Sequence, residues 1–389
     1  MKHIYLTLLT LTCTLLTPSK SQPQFQPCTK NEDCNLNGLC TSNSCTCDPG
    51  WTGPTCGHLH LSPSTPNTGY NRTSEGISSW CNSIIRDPHN TTLHHLFVSE
   101  FTHNCGLDYW SPYSRIIRAE SSTGPEGPYA FKQVVAPSFA HNPSVLWSAR
   151  EQMYLLYHIG CVRAELPGAC AVVEFGCGVG NGVNGESGIA VLGSRDLVSW
   201  VDLGVVFEGV DGVGWDADVT NPAPVHVGDG DGDGEVLLGY RGCPFDCNGT
   251  ERIGIASAGT FAGPYRARSW RPVFEEASED PFVWVDKRGN FHMLVHSLLP
   301  DAGFGDGPNV GRHAYSRSWD GPWVFDTETV AFDTTVLFTD GSQIEYYRRE
   351  RPSLFFSEDG EMTPLFLSTG VQEVNSPASY SLIQPISTV

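Results

Sequence analysis

Apolar residues in the long C-terminal part of the chain occur in short runs that recur in a fixed order. One run begins at a proline, in residues 142–147 (NPSVLW), and after a polar turn a second run follows in residues 153–158 (MYLLYH). Alternating apolar positions rich in β-branched and aromatic residues indicate strands rather than helix. A proline is tolerated at the first residue of a strand, because no ladder hydrogen bond is lost there. Each pair of runs therefore predicts two antiparallel strands.

The paired runs recur along the rest of the chain. Similar units begin at Asn221, Asp280 and Arg351, and a looser unit begins at Ser83. Each unit continues into a third run with small residues and, in the first four units, a turn into a fourth run: Gly-Pro-aromatic at 127–129, 263–265 and 321–323, and Ser-Trp at 199–200. Repeated four-stranded units predict an all-β, five-bladed β-propeller, with the outer strand of the last blade left open. A β-sandwich is the alternative.

The N-terminal part of the chain divides into three segments. Residues 1–21 have a basic start, an apolar stretch and a small polar end, which predicts a cleaved signal peptide and a secreted protein. Residues 28–57 form a module rich in cysteine, and residues 58–75, rich in Pro, Ser and Thr, are interpreted as a linker. The predicted propeller occupies residues 76–389.

Charge and composition narrow the class of partner. The formal net charge is −20, which argues against nucleic acid and against anionic membrane surfaces. No stretch after the signal peptide is apolar and long enough to predict a membrane anchor. Three N-x-Thr sequons, at Asn71, Asn90 and Asn248, predict glycosylation on exposed loops. The partner we expect is an extracellular glycan or polysaccharide.

The cysteine module resembles an EGF-like domain. Its six cysteines follow the spacing C-x5-C-x5-C-x4-C-x-C-x8-C and end in the segment CDPGWTGPTC. The spacing alone allows fifteen pairings. The resemblance implies Cys28–Cys40, Cys34–Cys45 and Cys47–Cys56. It also implies a spacer or a contact site for a protein partner. Residues 24–27 carry no acidic side chain, so we expect no calcium at this module.

The large domain resembles the five-bladed propellers of family 43 glycoside hydrolases and their relatives. The likeness rests on the proline-marked blade starts, on residues 194–200 (SRDLVSW) and on the Gly-Pro-aromatic turns. It implies a central funnel in which carboxylates at successive blade starts face a sugar. Glycoside hydrolysis normally requires two such acids, one to protonate the leaving oxygen and one to activate water or attack.

The blade starts depart from that pattern, because Asn142 and Asn221 stand where carboxylates are expected. An amide binds a hydroxyl group but cannot exchange a proton at neutral pH. Enzyme activity therefore remains an open question, and the candidate catalytic residues are Asp280, Glu279, Asp218 and Glu350. The equally weighted interpretation is that these are solvated or capping acids. The candidate substrate-binding residues are Asn142, Asn221, His158, Arg241 and His296, with a structural histidine as the alternative at positions 158 and 296.

Two short motifs have more than one interpretation. Residues 229–234 (DGDGDG) resemble the opening of a calcium loop but lack its closing glutamate, so an acidic turn is favoured and no cofactor is predicted. Cys243 and Cys247 have spacing typical of a metal or redox site, but in an oxidising compartment a local disulfide is favoured. Cys81 is expected to pair with Cys105. The remaining cysteines, at positions 161, 170 and 177, compete for one partner.

Three functions remain open on the sequence, and a purely structural extracellular protein is the third of them. The first is a secreted carbohydrate-active enzyme with an acid pair in the funnel. The second is a binding or adhesion protein that retains the fold without the acids. The fold cannot decide between them, since one fold supports many activities.

Overall fold

The computed structural model describes residues 27–72, 76–160, 168–171, 188–209, 214–228, 234–267, 271–299 and 310–389. The predicted signal peptide, Cys161, Cys177 and residues 229–233 of the acidic turn lie outside these ranges. Among the helices of the described residues, none has the length and apolar character needed to cross a bilayer.

The cysteine module is a small unit held by disulfides. It begins with a 3₁₀ turn at Asn31–Cys34 and has two hairpins, β1 (Gly38–Thr41) with β2 (Ser44–Cys47) and β3 (Trp51–Thr52) with β4 (His58–Leu59). Its disulfides join Cys28 to Cys40, Cys34 to Cys45 and Cys47 to Cys56, the pairing that the EGF resemblance implies. A module this small buries too little surface to fold without such cross-links.

Five antiparallel sheets confirm the predicted propeller, and the first four are four-stranded. The strands of blades 1 and 2 are β5 (Ser79–Arg86), β6 (His94–Phe101), β7 (Ser114–Ser121), β8 (Ala130–Ala136), β9 (His141–Ser148), β10 (Met153–Ile159), β11 (Ile189–Ser194) and β12 (Val201–Phe207). Those of blades 3 to 5 are β13 (Asp218–Val227), β14 (Glu235–Cys243), β15 (Arg252–Ala258), β16 (Arg266–Ala267), β17 (Ser278–Val285), β18 (Phe291–Ser297), β19 (Gly311–Ser316), β20 (Val324–Phe325), β23 (Arg348–Phe356), β24 (Pro364–Gln372) and β25 (Ser379–Pro385). A hairpin, β21 (Thr335–Leu337) with β22 (Gln343–Glu345), precedes blade 5.

In the described part of the propeller, helical structure is confined to short connections. The connection from β6 to β7 holds 3₁₀ turns at Thr102–Asn104 and Leu107–Tyr109 and a four-residue helix, α1 (Trp110–Tyr113). A further 3₁₀ turn, Phe245–Cys247, follows β14.

The segment predicted as a linker instead closes the ring of blades. Leu61 and Tyr70 form antiparallel bridges to Ile386 and Ser381, beside the last strand of blade 5. The Tyr70 amide donates to the Ser381 carbonyl at 3.0 Å. Pro, Ser and Thr suggested a linker, but the hydroxyls of Ser64 and Thr68 donate to the Ile383 carbonyl at the edge of β25. The fifth sheet therefore receives its outer partner from the N-terminal side of the chain.

The core consists of apolar layers between neighbouring blades. Leu155 and Tyr157 of blade 2 pack with Val219 and Leu238 of blade 3, and all four are fully buried. Deleting a leucine side chain from such a layer typically costs about 2–5 kcal/mol.

Each innermost strand contains a bulge at the same place. The residue at the bulge has a positive φ in every blade, between 47° and 60°, at Cys81, Asn142, Asn221, Asp280 and Arg351. The ladder register shifts beside it in each blade. Left-handed backbone is unfavourable for residues other than glycine and persists only where the surrounding structure enforces it. We call these five residues the axial ring.

The structure corrects one predicted disulfide. Cys105 pairs with Cys170, and Cys81 is the free cysteine of the described residues. Cys81 lies in the axial ring, whereas Cys105 lies in the connection after β6, so the two blade 1 cysteines face different surroundings. The predicted local bridge between Cys243 and Cys247 is present.

Burial raises the pKa of the Cys81 thiol to about 12. We therefore expect iodoacetamide at pH 8 to alkylate Cys81 in the native protein on the order of a thousandfold more slowly than an ordinary cysteine, because the thiolate is the nucleophile. Peptide mapping by mass spectrometry, before and after unfolding, measures this difference. The Cys81→Ser variant is the control for the assigned peptide. Labelling of native Cys81 at the rate of a small thiol would contradict the raised pKa of this partly buried side chain.

Candidate functional site

The axial ring closes the middle of the propeller through side-chain hydrogen bonds. Asn142 Nδ2 donates to Asn221 Oδ1 at 2.7 Å, and Asn221 Nδ2 donates to Asp280 Oδ1 at 2.8 Å. Arg351 forms an ion pair with Asp280 through its guanidinium and also donates its backbone N–H to Asp280 Oδ2 at 3.1 Å. The two predicted sugar-binding amides are thus bonded to each other and to Asp280.

Asp280 is therefore held inside the ring. It is 3% exposed, and both of its carboxylate oxygens accept hydrogen bonds. Burial, reinforced by the negative charges of Glu279 and Glu350 and opposed by the positive charge of Arg351, raises the pKa of Asp280 to about 7. Such a pKa would suit a general acid. Both oxygens of this carboxyl, however, are already bonded to protein groups.

A second layer of side chains lies two residues before the proline position of each blade. Glu279 and Glu350 occupy this layer, and His296 reaches it from β18. His296 Nδ1 lies 3.0 Å from Glu279 Oε1 and 3.9 Å from Glu350 Oε1. All three are buried. The structure thus brings together three of the four predicted acids and one of the predicted histidines.

The charges of this layer compensate one another. Burial works against ionisation, but the His296 hydrogen bond and the Arg351 charge lower the pKa of Glu279 to about 2. Burial opposes protonation of His296 as well, yet the two glutamates raise its pKa to about 9. Glu279 is therefore an anion and His296 a cation at neutral pH. A carboxylate with so low a pKa cannot serve as a general acid there.

The donor atoms of Glu279, Asp280, His296 and Glu350 all lie within 4.8 Å of one another, which is the spacing of a cation site. Within it His296 pairs with Glu279, and Arg351 pairs with Asp280, so the protein's own cations balance part of the negative charge.

Asp218 does not join this network. It is fully buried, and its Oδ2 accepts a hydrogen bond from the Cys247 amide at 3.4 Å. It clusters instead with Cys243 and Cys247. Among the described residues no hydrogen bond joins Asp218 to Glu279 or Asp280, and a catalytic pair that includes Asp218 stays a prediction.

Arg241 and His158 are occupied elsewhere. The Arg241 guanidinium lies 2.9 Å from Cys243 Sγ and 2.7 Å from Cys247 Sγ, beside the local disulfide. His158 Nδ1 lies 3.1 Å from the carbonyl oxygen of Ile159, and burial lowers its pKa. These surroundings favour a structural role for His158 over a substrate-binding role.

An open pocket lies beside the axis, over blades 5, 1 and 2. We call it the mouth pocket; its volume, including the opening, is ≈ 520 Å³. Its lining is Trp80, Leu107, Asp108, Trp110, His141, Arg348, Glu350 and Arg351. Concave sites with aromatic walls and a few polar groups are typical of small-molecule binding. Of the four predicted acids, Glu350 alone lines this pocket.

The sequence by itself did not identify the remaining residues that line the mouth pocket. His141 and Trp80 occupy the same layer as Glu350, two residues before the proline position, so blade alignment could have indicated them. Asp108 and Trp110 belong to the long connection between β6 and β7. No local pattern in that connection indicates which side chains face the axis.

Several contacts fix the Trp110 side of the pocket. The Trp110 ring lies 5.0 Å from the His141 ring, and His141 Nδ1 lies 2.7 Å from Ser114 Oγ. Burial lowers the pKa of His141, so this ring is neutral. The Cys105–Cys170 disulfide ties the connection to residues 168–171, and Tyr113 donates to the Gly168 carbonyl at 2.6 Å.

The predicted glycosylation sites differ in their surroundings. Asn90 and Asn248 are exposed, as expected of acceptors. Asn71 is only partly exposed, and its Nδ2 atom is buried.

Comparisons with known proteins agree with this architecture. The teneurin-like EGF domain family matches residues 31–58. No curated protein matches the sequence at a significant level. The chain thus consists of an EGF-like module and a five-bladed propeller similar to those of glycoside hydrolases.

Three solved structures illustrate the likeness of the propeller. The catalytic domain of the Coprinopsis cinerea family 62 α-L-arabinofuranosidase has a TM-score of 0.56 and 15% identity, covering 84% of this chain and 96% of its own. The Podospora anserina α-L-arabinofuranosidase in complex with cellotriose has a TM-score of 0.54 and 14% identity, with coverage of 84% and 96%. A thermostable family 43 glycoside hydrolase has a TM-score of 0.50 and 12% identity, with coverage of 83% and 91%. At these identities the likeness concerns the fold.

The ion network yields a stability prediction. In Arg351→Met, Asp280 keeps its burial but loses its cation, so we expect the free energy of unfolding at pH 8 to fall by about 3 kcal/mol. The double variant Arg351→Met/Asp280→Asn should recover most of the loss, because position 280 then carries no charge that needs the arginine. Urea unfolding measures both. Arg195→Met, at an exposed arginine, is the control. A double variant no more stable than Arg351→Met would contradict the assignment.

Proposed function

We propose that the protein is an extracellular carbohydrate-binding propeller whose ligand, a chain of neutral sugars, enters the mouth pocket. The observation that carries this proposal is the state of the funnel acids. Asp280 is bonded to Arg351 and Asn221, and Glu279 is bonded to His296. Neither lines the mouth pocket. The glycosidase fold is thus combined with an axis that lacks a free acid pair.

The chemistry of the mouth pocket supports a sugar ligand. Trp110 offers an aromatic surface for the apolar face of a sugar ring, while Glu350, Asp108 and Arg348 offer groups for its hydroxyls. The net charge of −20 disfavours a polyanionic glycan. The similar structures include α-L-arabinofuranosidases, one of them with cellotriose bound. We therefore propose arabinose- or xylose-containing polysaccharides as the first ligand class to test.

Secretion is part of the proposal. The disulfides of the EGF-like module and the pattern of residues 1–21 support an oxidising, extracellular location. Glycosylation at Asn90 and Asn248 fits the same location, since both side chains are exposed.

Hydrolysis is the second candidate function, and one observation favours it. Glu350 and Asp108 line the same pocket, so a carboxylate pair is available there even though the axial acids are occupied. Glu350 would then act beside the wall that Trp110 forms. This alternative requires both carboxyl groups to face one glycosidic bond.

Binding to arabinoxylan oligosaccharides, measured by calorimetry, tests the first proposal. We expect Trp110→Ala to weaken binding about fivefold or more, since a buried aromatic contact contributes on the order of 1 kcal/mol or more. Trp147→Ala is the matched control, because Trp147 is exposed and lies at the opposite end of β9 from His141. Equal loss in both variants, or no binding to any glycan of a broad array, would overturn the proposal.

Release of reducing ends from the same oligosaccharides separates binding from hydrolysis. If the protein only binds, wild type and Glu350→Gln both leave the oligosaccharide intact. Turnover by wild type that is lost in Glu350→Gln and in Asp108→Asn would instead establish the hydrolase. Turnover that survives both substitutions would exclude this acid pair.

A further inference from the structure

The EGF-like module is packed against blade 4. Trp51 of the module stacks on Trp284, with ring centroids 6.4 Å apart, and lies 5.1 Å from the His313 ring. His313 and its neighbour His292 are buried beneath this contact. All three disulfides of the module are internal to it. Its docking therefore depends on non-covalent contacts and on the chain that leaves it.

Hydrogen bonds across the interface fix the protonation of His313. Asn37 of the module donates through Nδ2 to the Cys56 carbonyl at 3.2 Å, which determines the orientation of its amide. The same nitrogen lies 3.4 Å from His313 Nδ1. A side-chain amide nitrogen has hydrogens and no lone pair. His313 Nδ1 must therefore be the unprotonated, accepting nitrogen.

The same logic extends to His292. His313 Nε2, which then carries the hydrogen, lies 3.0 Å from His292 Nδ1, so that nitrogen accepts. His292 Nε2 lies 3.3 Å from Asp286 Oδ2 and donates to it. Both imidazoles are thus neutral, with one donor and one acceptor nitrogen each. A continuous series of hydrogen bonds therefore runs from Asn37 of the module to Asp286 of blade 4.

Arg288 extends this series of hydrogen bonds from Asp286 back to the module. Its guanidinium lies 3.3 Å from Asp286 and 3.0 Å from Asp48 Oδ1 of the module. It also donates to the Leu36 carbonyl at 2.7 Å. The histidine pair is therefore enclosed between two points of contact with the module, Asn37 and Asp48.

We propose that this histidine pair makes the docking of the EGF-like module on blade 4 sensitive to pH, with the module held at neutral pH and released in mild acid. A proton added to His313 Nδ1 would place two donors against each other at Asn37. A proton added to His292 Nδ1 would do the same against His313. Protonation of His313 thus breaks a hydrogen bond of the interface, and protonation of His292 breaks the bond within blade 4 that holds His313 in its accepting state. The docked state therefore binds protons more weakly than the open state.

The other charged groups around the pair do not reverse this preference. Asp286 favours a cation at His292, but Arg288 already compensates its charge. Arg317 is paired with Glu32 of the module at 3.0 Å. At the edge of the interface Asn35 donates to Asp326, and Tyr315 donates to the Glu32 carbonyl. These groups do not add a free anion beside His313.

The sign of the pH effect follows from burial. Burial lowers the pKa of His292 despite Asp286, and burial and His292 lower the pKa of His313 further. A group with a depressed histidine pKa stabilises the docked state above the ordinary value of about 6.5 and destabilises it progressively below that value. The window of release is therefore the weakly acidic range, below pH 6.5.

Hydrogen exchange followed by mass spectrometry on the full chain tests the proposal. Protection of amides in residues 31–58, corrected for the intrinsic effect of pH on exchange, is compared at pH 7.5 and pH 5.0. We expect protection to fall at pH 5.0 by about 30-fold if one histidine takes up a proton on opening, and by more if both do. Protection of β10 and β14 in the propeller should change much less. Equal protection of the module at the two pH values would overturn the proposal.

Two variants separate the histidine pair from general acid sensitivity. His313→Gln keeps a polar side chain but cannot titrate, so we expect its pH dependence in residues 31–58 to be at least about tenfold smaller than that of wild type. His60→Gln is the control, since His60 is exposed and directly follows β4 of the module. This variant should retain the full wild-type dependence on pH. A His313→Gln profile identical to wild type would overturn the proposal. If that variant does not fold, NMR titration of the native imidazoles decides: protonation of both rings near pH 6.5 with the module still docked would overturn it.

Discussion

The structure depends on one backbone constraint, the bulge that begins every innermost strand. At this bulge the ladder register shifts and one residue adopts left-handed φ, from Cys81 in blade 1 to Arg351 in blade 5. A bulge changes the direction in which a side chain points, compared with a regular strand. Because it recurs in all five blades, it directs five side chains to the axis, and in blades 1, 2 and 5 it places the preceding residue in the lining of the mouth pocket. The axial ring and the mouth pocket are two consequences of the same distortion.

Chemistry at the axis is then decided by which residues occupy the constrained positions. Carboxylates at several of them would repel one another in a buried site and would have to be solvated, protonated or paired. Here two amides, a thiol and one arginine surround the single carboxylate Asp280, and Glu279 and Glu350 share His296. Such compensation stabilises the ring and removes proton-transfer capacity from it. The mouth pocket, with its aromatic wall, is one open part of the funnel, and the axial ring itself lines a second pocket of ≈ 420 Å³.

A buried polar group bonds to the nearest available partner. This explains which of the predicted acids and cysteines lie together in the structure. Glu279, Asp280 and Glu350 lie next to blade-marking prolines, so equivalent backbone positions bring them together. Asp218 lies farther upstream, and the Cys243–Cys247 hairpin end turns it away. Cys81 and Cys105 belong to one blade, yet the bulge holds Cys81 at the axis while Cys105 meets Cys170 from another blade. Sequence proximity could not reveal this, because the connection after β6 has no periodic pattern.

The sequence by itself determined the repeat, the strands and the disulfide-rich module, because alternation, proline position and cysteine spacing are local properties. It also determined that amides, Asn142 and Asn221, stand at two of the blade starts where carboxylates were expected. Only the tertiary structure decided how residues 58–72 close the fifth blade, how Trp51 and Asn37 reach the histidines of blade 4, and which residues line the mouth pocket. These contacts join residues far apart in the chain. They depend on how the blades and the module pack in three dimensions, which local pattern does not encode.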